Sequence, residues 1–389
     1  MLDVVIAGGG PVGSRVAYKL AGLGYQVAVI EKRPEIGEKP CCTGIISQEC
    51  VTTFSIPSEV IFRPVKTAIV FPPSGEPIHL SRPETQACIV DRQAFDRALA
   101  TQATSKGAEY HLNSKVERLS FKPDRVVIEV AEKGEVKQLE AQTVVLATGF
   151  NAPLVKGLGF GQVGYLAAGA QADVRVNGVD QVEVYFDSKL APGFFAWLVP
   201  TSPGRGLVGL MSCQSPGSHL RDWLTKLTAQ GKIIPENYPI RYGGIPLKPL
   251  ARTFGERLLL IGDAAGQVKP TTGGGIYFGL LCADIAADTL HNALQSGDMS
   301  VHQMSKYERN WRKKLGHELR IEYFARRLYQ RLSDRQVDSL FSYLQSNGIV
   351  DSLLKEENIS FDWHGGLLLK VLRLGIASQA NRLLRLKHR

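Results

Sequence analysis

The run LDVVIAGGGPVGSRVAYKLAGLGYQVAVIEK, from Leu2 to Lys32, constrains this chain more than any other stretch. It predicts a strand, a glycine turn, a helix and a second strand in one βαβ unit. Val4, Val5, Ile6 and Ala7 make a buried apolar strand. Gly8, Gly10 and Gly13 then supply a tight bend, room for a pyrophosphate to approach the backbone, and close packing of the helix. Pro11 and Val12 open that helix, whose N-terminus is expected to hold the phosphates. Val16, Ala17 and Leu20 form its inward face, and Gly24 is expected to end it. Val27 to Ile30 form the second strand, closed by Glu31, 18 residues beyond the last glycine. An acid there holds ribose hydroxyls and repels a 2′-phosphate, so the site favours the ADP half of FAD or NAD over NADP. Lys32, directly after it, joins the expected cofactor contacts.

A glycine triad alone is weak, and the chain carries its own control. Gly159, Gly161 and Gly164 have the same spacing, but they follow Lys156, Gly157 and Leu158 instead of a buried strand, and Val163 to Ala172 reads as a strand where a helix should begin. That second match is expected to be chance. The 389 residues, 44% of them hydrophobic, suffice for two or three structural units. Six cysteines without a C-x-x-C pair, and histidines without zincin spacing, indicate neither a metal site nor a disulfide framework. A reducing compartment, cytoplasmic or stromal, is the expectation. The first strand begins at residue 3 or 4, which leaves no room for a leader, and no apolar run is long enough to span a membrane. A net charge of +9 favours acidic partners. Lipid head groups and diphosphates are as consistent with that charge as nucleic acid, and nothing else in the chain calls for nucleic acid.

The reading is α/β (α+β overall): a Rossmann-type FAD-binding domain over 1–62, 90–155 and 253–298, an antiparallel-sheet substrate domain over 63–89 and 156–252, and a helical region over 299–389. Lys66–Phe71 and Glu76–Leu80 predict a hairpin around Pro72, Pro73, Ser74 and Gly75. Val90–Lys106 predicts an amphipathic helix. Strands at 109–112, 116–121, 125–131 and 136–140 form a meander, returning to a buried strand at 143–147 that ends in Thr148 and Gly149. Val163–Arg252 has the period-two pattern of an antiparallel sheet, interrupted by a helix over 218–230. Leu258–Ile261 is another buried strand, and a further helix reaches about His291. Beyond it Met304, Tyr307, Trp311, Leu315 and Leu319 recur at helical spacing.

FAD needs a second contact region for its ribityl chain and ring, and LLLIGDAAGQVKPTTGGGIYFG, Leu258 to Gly279, has the chemistry for it. Asp263 accepts from a ribityl hydroxyl. Gly273, Gly274 and Gly275 free backbone N–H groups ahead of Ile276, where a helix start stabilises the anionic reduced ring. Pro270 lies along a ring face. Two nucleotide-type turns in one chain favour FAD over NAD alone.

The chain resembles the geranylgeranyl reductase family, flavoproteins related in fold to the aromatic hydroxylases. Lys39, Pro40, Cys41, Cys42, Thr43 and Gly44 are similar to that family's cysteine-glycine loop beside the flavin; Pro192 to Pro200, PGFFAWLVP, is like its P-x-[YF]-x-W-x-[FV]-P signature; and Gly262 to Gly279 is like its second flavin turn. Asp91, Arg92, Phe95 and Asp96 look like its D-R-x-x-F-D helix start, in which the arginine lies near the flavin phosphate and ribityl groups. Gly44, Arg92, Val116, Thr148 and Gly149 join the expected cofactor set. The resemblance implies reduction of isolated double bonds in a polyprenyl chain, on geranylgeranyl diphosphate, a chlorophyll side chain or an ether lipid, with NADPH or ferredoxin as electron donor. Many relatives have cysteine directly before glycine. Here Thr43 intervenes, so either thiol could face the flavin; Cys42, nearer to Gly44, is the chosen one, against the bland reading of a small buried loop residue.

An isolated olefin has no carbonyl to polarise, so hydride from the flavin must be matched by a proton, for which Cys42, Tyr277 and a loop-held water are candidates. Phe194, Phe195 and Trp197 are expected on one strand, with Phe195 and Trp197 sharing a face that, with Pro192, lines an apolar pocket; ordinary sheet core is the alternative. The rival activity is a flavin monooxygenase acting on a lipophilic aromatic or quinone, and a non-enzymatic prenyl carrier is the rival outside catalysis. Finally, Lys370, Arg373, Arg382, Arg385, Lys387 and Arg389 form a basic tail without acids. It reads either as two short helices on an anionic membrane surface or as a helical cap.

Overall fold

Four consecutive residues of the first strand, Val4 to Ala7, are all buried, which is the mark of a parallel strand covered on both faces. A computed structural model describes residues 1–389 apart from 39, 151, 162, 163, 165, 357–359 and 371–389. Lys39 of the cysteine loop, Val163, and Arg373, Arg382, Arg385, Lys387 and Arg389 of the basic tail therefore lie outside the described residues. The structure divides into two units. One comprises Met1–Phe62, Ile89–Ala167 and Gly243–His317, the other Arg63–Cys88, Ala168–Tyr242 and Glu318–Arg389. Residues 156–167 and 243–252 thus fall with the nucleotide-binding segments, and the C-terminal helical region is divided at His317.

The first unit is built on a sheet in the order Phe254–Gly255, Leu258–Leu260, Glu135–Leu146, Leu2–Ala7, Val27–Ile30 and Glu109–His111. Leu2–Ala7 pairs in parallel with Glu135–Leu146 and with Val27–Ile30, placing Val5 between Val144 and Ala28. Two further strands, Ser114–Phe121 and Val126–Glu132, form the antiparallel meander on Glu135–Leu146. The separate strands expected at 136–140 and 143–147 are a single one of 12 residues. Its exposed first half pairs in the meander and its buried second half joins the parallel sheet. The core combines Val5, Ala7, Ala28 and Ile30 with Val144, Leu146, Leu258 and Leu260, and with Val116, Leu119 and Ile128 of the meander.

The first helix runs from Pro11 to Ala21 with Gly22 at its C-cap, so it closes before Gly24. It packs against the Ile276–Ser296 helix closely enough that a Cβ on Gly279 would lie 2.6 Å from Val12 Cγ2. Arg15 clasps Asp284 across the same pair, at 2.6 and 3.0 Å. The long helix Val301–Tyr329 buries the predicted stripe: Met304, Tyr307, Trp311 and Leu315 are inaccessible and Leu319 nearly so.

The second unit is built mainly on the strands Leu166–Arg175, Arg205–Ser212, Ala196–Pro200, Val182–Tyr185, Thr67–Phe71 and Ile78–Ser81, in that order. The expected hairpin is present, pairing Thr67–Phe71 with Ile78–Ser81. Thr67–Phe71 departs from the antiparallel pattern, joining Val182–Tyr185 in parallel. The helix Pro216–Ala229 covers one face with Leu220, Trp223 and Leu227, over Ala170, Ala172, Leu198, Val208 and Leu210. No helix among the described residues is long and apolar enough to cross a membrane.

Candidate active site

The three glycines of the first turn meet different surroundings. Gly8 has φ +108°, and a Cβ there would lie 2.3 Å from the Ala147 carbonyl oxygen, so only glycine makes the bend. A Cβ on Gly13 would come within 2.0 Å of the Gly8 carbonyl oxygen. Gly10 has nothing within 4 Å of that position. Two glycines are thus required by the protein's own packing, while the third leaves open space at the start of the Pro11–Ala21 helix, which has no side-chain cap. Open space at an uncapped helix N-terminus is suited to an anionic group. Glu31 sits at the end of its strand, accepting from the backbone N–H of Gly9 at 2.8 Å and of Arg33 at 3.0 Å. Its remaining lone pairs are available to ribose hydroxyls. Lys32 is exposed.

The second turn follows the buried strand Leu258–Leu260. Gly262 to Ala265 form a single helical turn, closed by Gly266 at φ +72°. Gly262 N–H donates to Gln267 Oε1 at 2.8 Å, and Gln267 Nε2 donates to the Tyr307 hydroxyl at 2.8 Å, which in turn donates to the Leu260 carbonyl at 3.1 Å. The sequence reading missed Gln267 and Tyr307 as supports of the turn; a buried glutamine beside the glycines was the available signal. Asp263 Oδ1 lies 2.7 Å from where a Cβ on Gly275 would stand, so the glycine lets the carboxylate reach the start of the Ile276–Ser296 helix. Burial pushes the Asp263 carboxyl above the usual range, and the Arg92 guanidinium partly offsets this.

Arg92 joins the first turn's surroundings to the second. Asp91 caps its helix, accepting from Gln93 and Ala94 N–H, and Arg92 Nη2 pairs with Asp96 at 2.7 Å. Burial opposes the charge on Arg92, but Asp96 and Cys42 outweigh it and raise the pKa of the guanidinium. Arg92 hydrogen-bonds Cys42, and the Cys42 sulfur also accepts from Gly44 N–H at 3.4 Å. Cys41 is turned elsewhere, its sulfur 3.5 Å from the Cβ position of Gly243. Gly44 has φ +71° and its carbonyl accepts from Val90 N–H at 2.8 Å, which ties the cysteine loop to the strand ahead of Arg92. Arg92 Nε is buried and has no hydrogen-bond partner among the described residues. A buried donor of this kind calls for an acceptor, a need that a hydroxyl-bearing ligand chain would fit.

The other expected contacts are mixed. Gly149, at φ +64°, has no atom near a Cβ position, so its backbone is open to a ligand. Thr148 is half-buried beside it. Val116 points into the core, next to a register irregularity in the meander, which leaves only its main chain for a cofactor. Val12 likewise spends its side chain on Gly262 and Gly279. Pro270 is buried within the Lys269–Gly274 loop, and Ile276 is the first residue of the following helix. The Tyr277 hydroxyl donates to Glu49, and its ring meets Phe54 edge-on at 6.0 Å, so the tyrosine ties the Gln48–Thr53 helix to its own.

In the second unit, Phe194 and Phe195 precede the strand Ala196–Pro200 and do not lie on it. Pro192 and Gly193, the latter at φ +69°, form a turn in which Phe194 N–H donates to the Ala191 carbonyl. Arg326 donates to the Gly193 carbonyl and lies over the Phe194 ring, and the Tyr329 hydroxyl donates to the Phe194 carbonyl at 3.2 Å. Phe194 is fully buried. Phe195 and Trp197 do share a side, their rings 5.9 Å apart, and the row continues through Phe186 to Tyr329 and Phe341. The Trp197 indole rests on Gly209, whose Cβ position is 2.5 Å from the ring.

A family model described as lycopene cyclase protein matches residues 3–343. Digeranylgeranylglycerophospholipid reductase 2 of Methanothermobacter thermautotrophicus is 32% identical over 89% of this chain and 92% of its own. The chain belongs to the geranylgeranyl reductase family. It is an FAD-dependent oxidoreductase, and its cofactor is FAD. A crystal structure of a geranylgeranyl bacteriochlorophyll reductase-like protein from Thermoplasma acidophilum superposes with a TM-score of 0.83 at 25% identity, covering 95% of each chain. A p-nitrophenol 4-monooxygenase from Pseudomonas putida gives a TM-score of 0.72 at 18% identity, over 96% of this chain and 98% of its own, a likeness of fold alone.

Proposed function

We propose that this chain reduces isolated carbon-carbon double bonds in the geranylgeranyl chains of an ether lipid, with a geranylgeranyl diphosphate or chlorophyll side chain as alternative carriers of the same group. The observation that carries the reading is the match to a prenyl-lipid reductase over nearly the full length of both chains. When bound, FAD supplies the hydride. The protein's part begins with holding it: the open space at Gly10 for the pyrophosphate, Glu31 for the ribose, Arg92 and Asp263 for the ribityl chain, and the turn before Ile276 for the ring. Cys42, held by Arg92 and Gly44 N–H, is the proposed proton carrier to the olefin. Tyr277 is the weaker candidate because its hydroxyl is committed to Glu49. Phe195, Trp197 and Phe186, in the second unit, offer apolar faces suited to a prenyl chain. The donor is NADPH binding transiently or ferredoxin, and an anionic membrane surface is the proposed place of work.

Mass spectrometry after incubation of reduced enzyme with unsaturated ether lipid, geranylgeranyl diphosphate and prenyl chlorophyll tests this reading. Each reduced bond adds two hydrogens, whereas cyclisation leaves the mass unchanged and oxygenation adds an oxygen. A gain of hydrogens on none of the three sinks the proposal. Supplying NADPH or reduced ferredoxin in parallel identifies the donor.

A further inference from the structure

Lys269 is 4% exposed, and lysine is seldom buried this far unless its ammonium is engaged. Its main chain closes the loop ahead of the Ile276–Ser296 helix: its carbonyl accepts from Gly273 N–H at 2.9 Å, and its N–H donates to the Gly274 carbonyl at 3.1 Å. Its side chain folds back over the same loop. Cε and Nζ lie 2.9 and 3.5 Å from the Cβ position of Gly274, so a side chain there would displace the ammonium. Nζ also stands 6.0 Å from the ring centroid of the fully buried Phe278. A fixed positive charge therefore sits beneath the glycines. It has no role in the proposed hydride or proton steps.

We propose that Lys269 stabilises negative charge on the reduced flavin ring and so sets the cofactor's potential. The inference rests on FAD seating its ring at the Gly273–Gly275 turn. A buried charge beside a ring seated there would act through a lower dielectric than water and be little screened. The result is a flavin that holds its electrons more readily after reduction.

The test uses the full chain with FAD and compares Lys269→Met, Lys269→Gln and Lys269→Arg with wild type, with Lys248→Met, an exposed lysine in the same unit, as control. Two readouts are taken: the two-electron midpoint potential, and affinity for sulfite, which adds to the flavin and leaves negative charge on the ring. In Lys269→Met, reduced FAD is expected to bind about tenfold more weakly relative to oxidised FAD, about 30 mV more negative. Sulfite affinity falls by about the same factor, while Lys269→Arg and Lys248→Met stay near wild type. If Lys269→Met does not fold, Lys269→Gln carries the measurement. Neutral variants that hold FAD with wild-type potential and sulfite affinity overturn the inference. Wild-type protein that binds no FAD overturns the flavin reading itself.

Discussion

Gly10 and Gly13 look alike in the sequence, yet the structure separates them. Gly10→Val fills open space on extended backbone, φ −72° and ψ −177°, so the apoprotein should keep its stability to within about 1 kcal/mol while FAD affinity falls about a hundredfold. Gly13→Ala presses a methyl group on the Gly8 carbonyl and should cost about 1–3 kcal/mol as well as the cofactor. Chemical denaturation of the apoproteins with flavin titration checks both; equal stability in the two variants refutes the distinction. Asp263 makes the opposite trade. Its folded pKa is raised by burial, so its contribution to stability is fully present below the unfolded carboxylate range and is lost as pH rises through the folded value. Asp263→Asn apoprotein should therefore melt above wild type at pH 8, the gap closing toward pH 4, while its FAD occupancy falls. A gap that widens on acidification contradicts the assignment.

Among the elements, the Val301–Tyr329 helix was readable because its buried residues recur at three and four, and Trp311 is the test of that stripe. It is inaccessible and its indole donates to Thr253 Oγ1 at 2.9 Å, so Trp311→Ala should cost about 3–5 kcal/mol in denaturant unfolding. A loss under 1 kcal/mol would place it outside the core. At the PGFFAWLVP stretch, Arg326→Met releases the Gly193 carbonyl; FAD should remain bound while turnover of long prenyl chains drops about tenfold, measured against a short prenyl substrate. Alternation made Phe194 read as strand, but the left-handed backbone at Gly193 starts a turn that period two does not register. Glu135–Leu146 read as two strands because its polar half and its apolar half serve different partners. The site divides the same way. Gly8, Gly13 and Glu31 were legible because one local βαβ unit fixes them all, whereas the meeting of Arg92, Cys42 and Asp263 depends on three separate segments, and no spacing in the chain encodes it.

For the whole molecule, that dependence means the unfolded chain has no preassembled affinity for FAD. Ligand at about 100 times its dissociation constant should then stabilise the protein by about 2.7 kcal/mol, read as a concentration-dependent rise in melting temperature that Gly10→Val lacks. It also has a bearing on synthesis. The first strand cannot complete its sheet until Glu135–Leu146 has emerged, and the strand that carries the second turn, Leu258–Leu260, comes later still. At about 5–20 residues per second a ribosome needs on the order of tens of seconds between the first glycine turn and the second. During that interval the nascent chain exposes half of a nucleotide cradle and cannot close it. Cofactor capture at the proposed site therefore belongs to the last third of translation or after it.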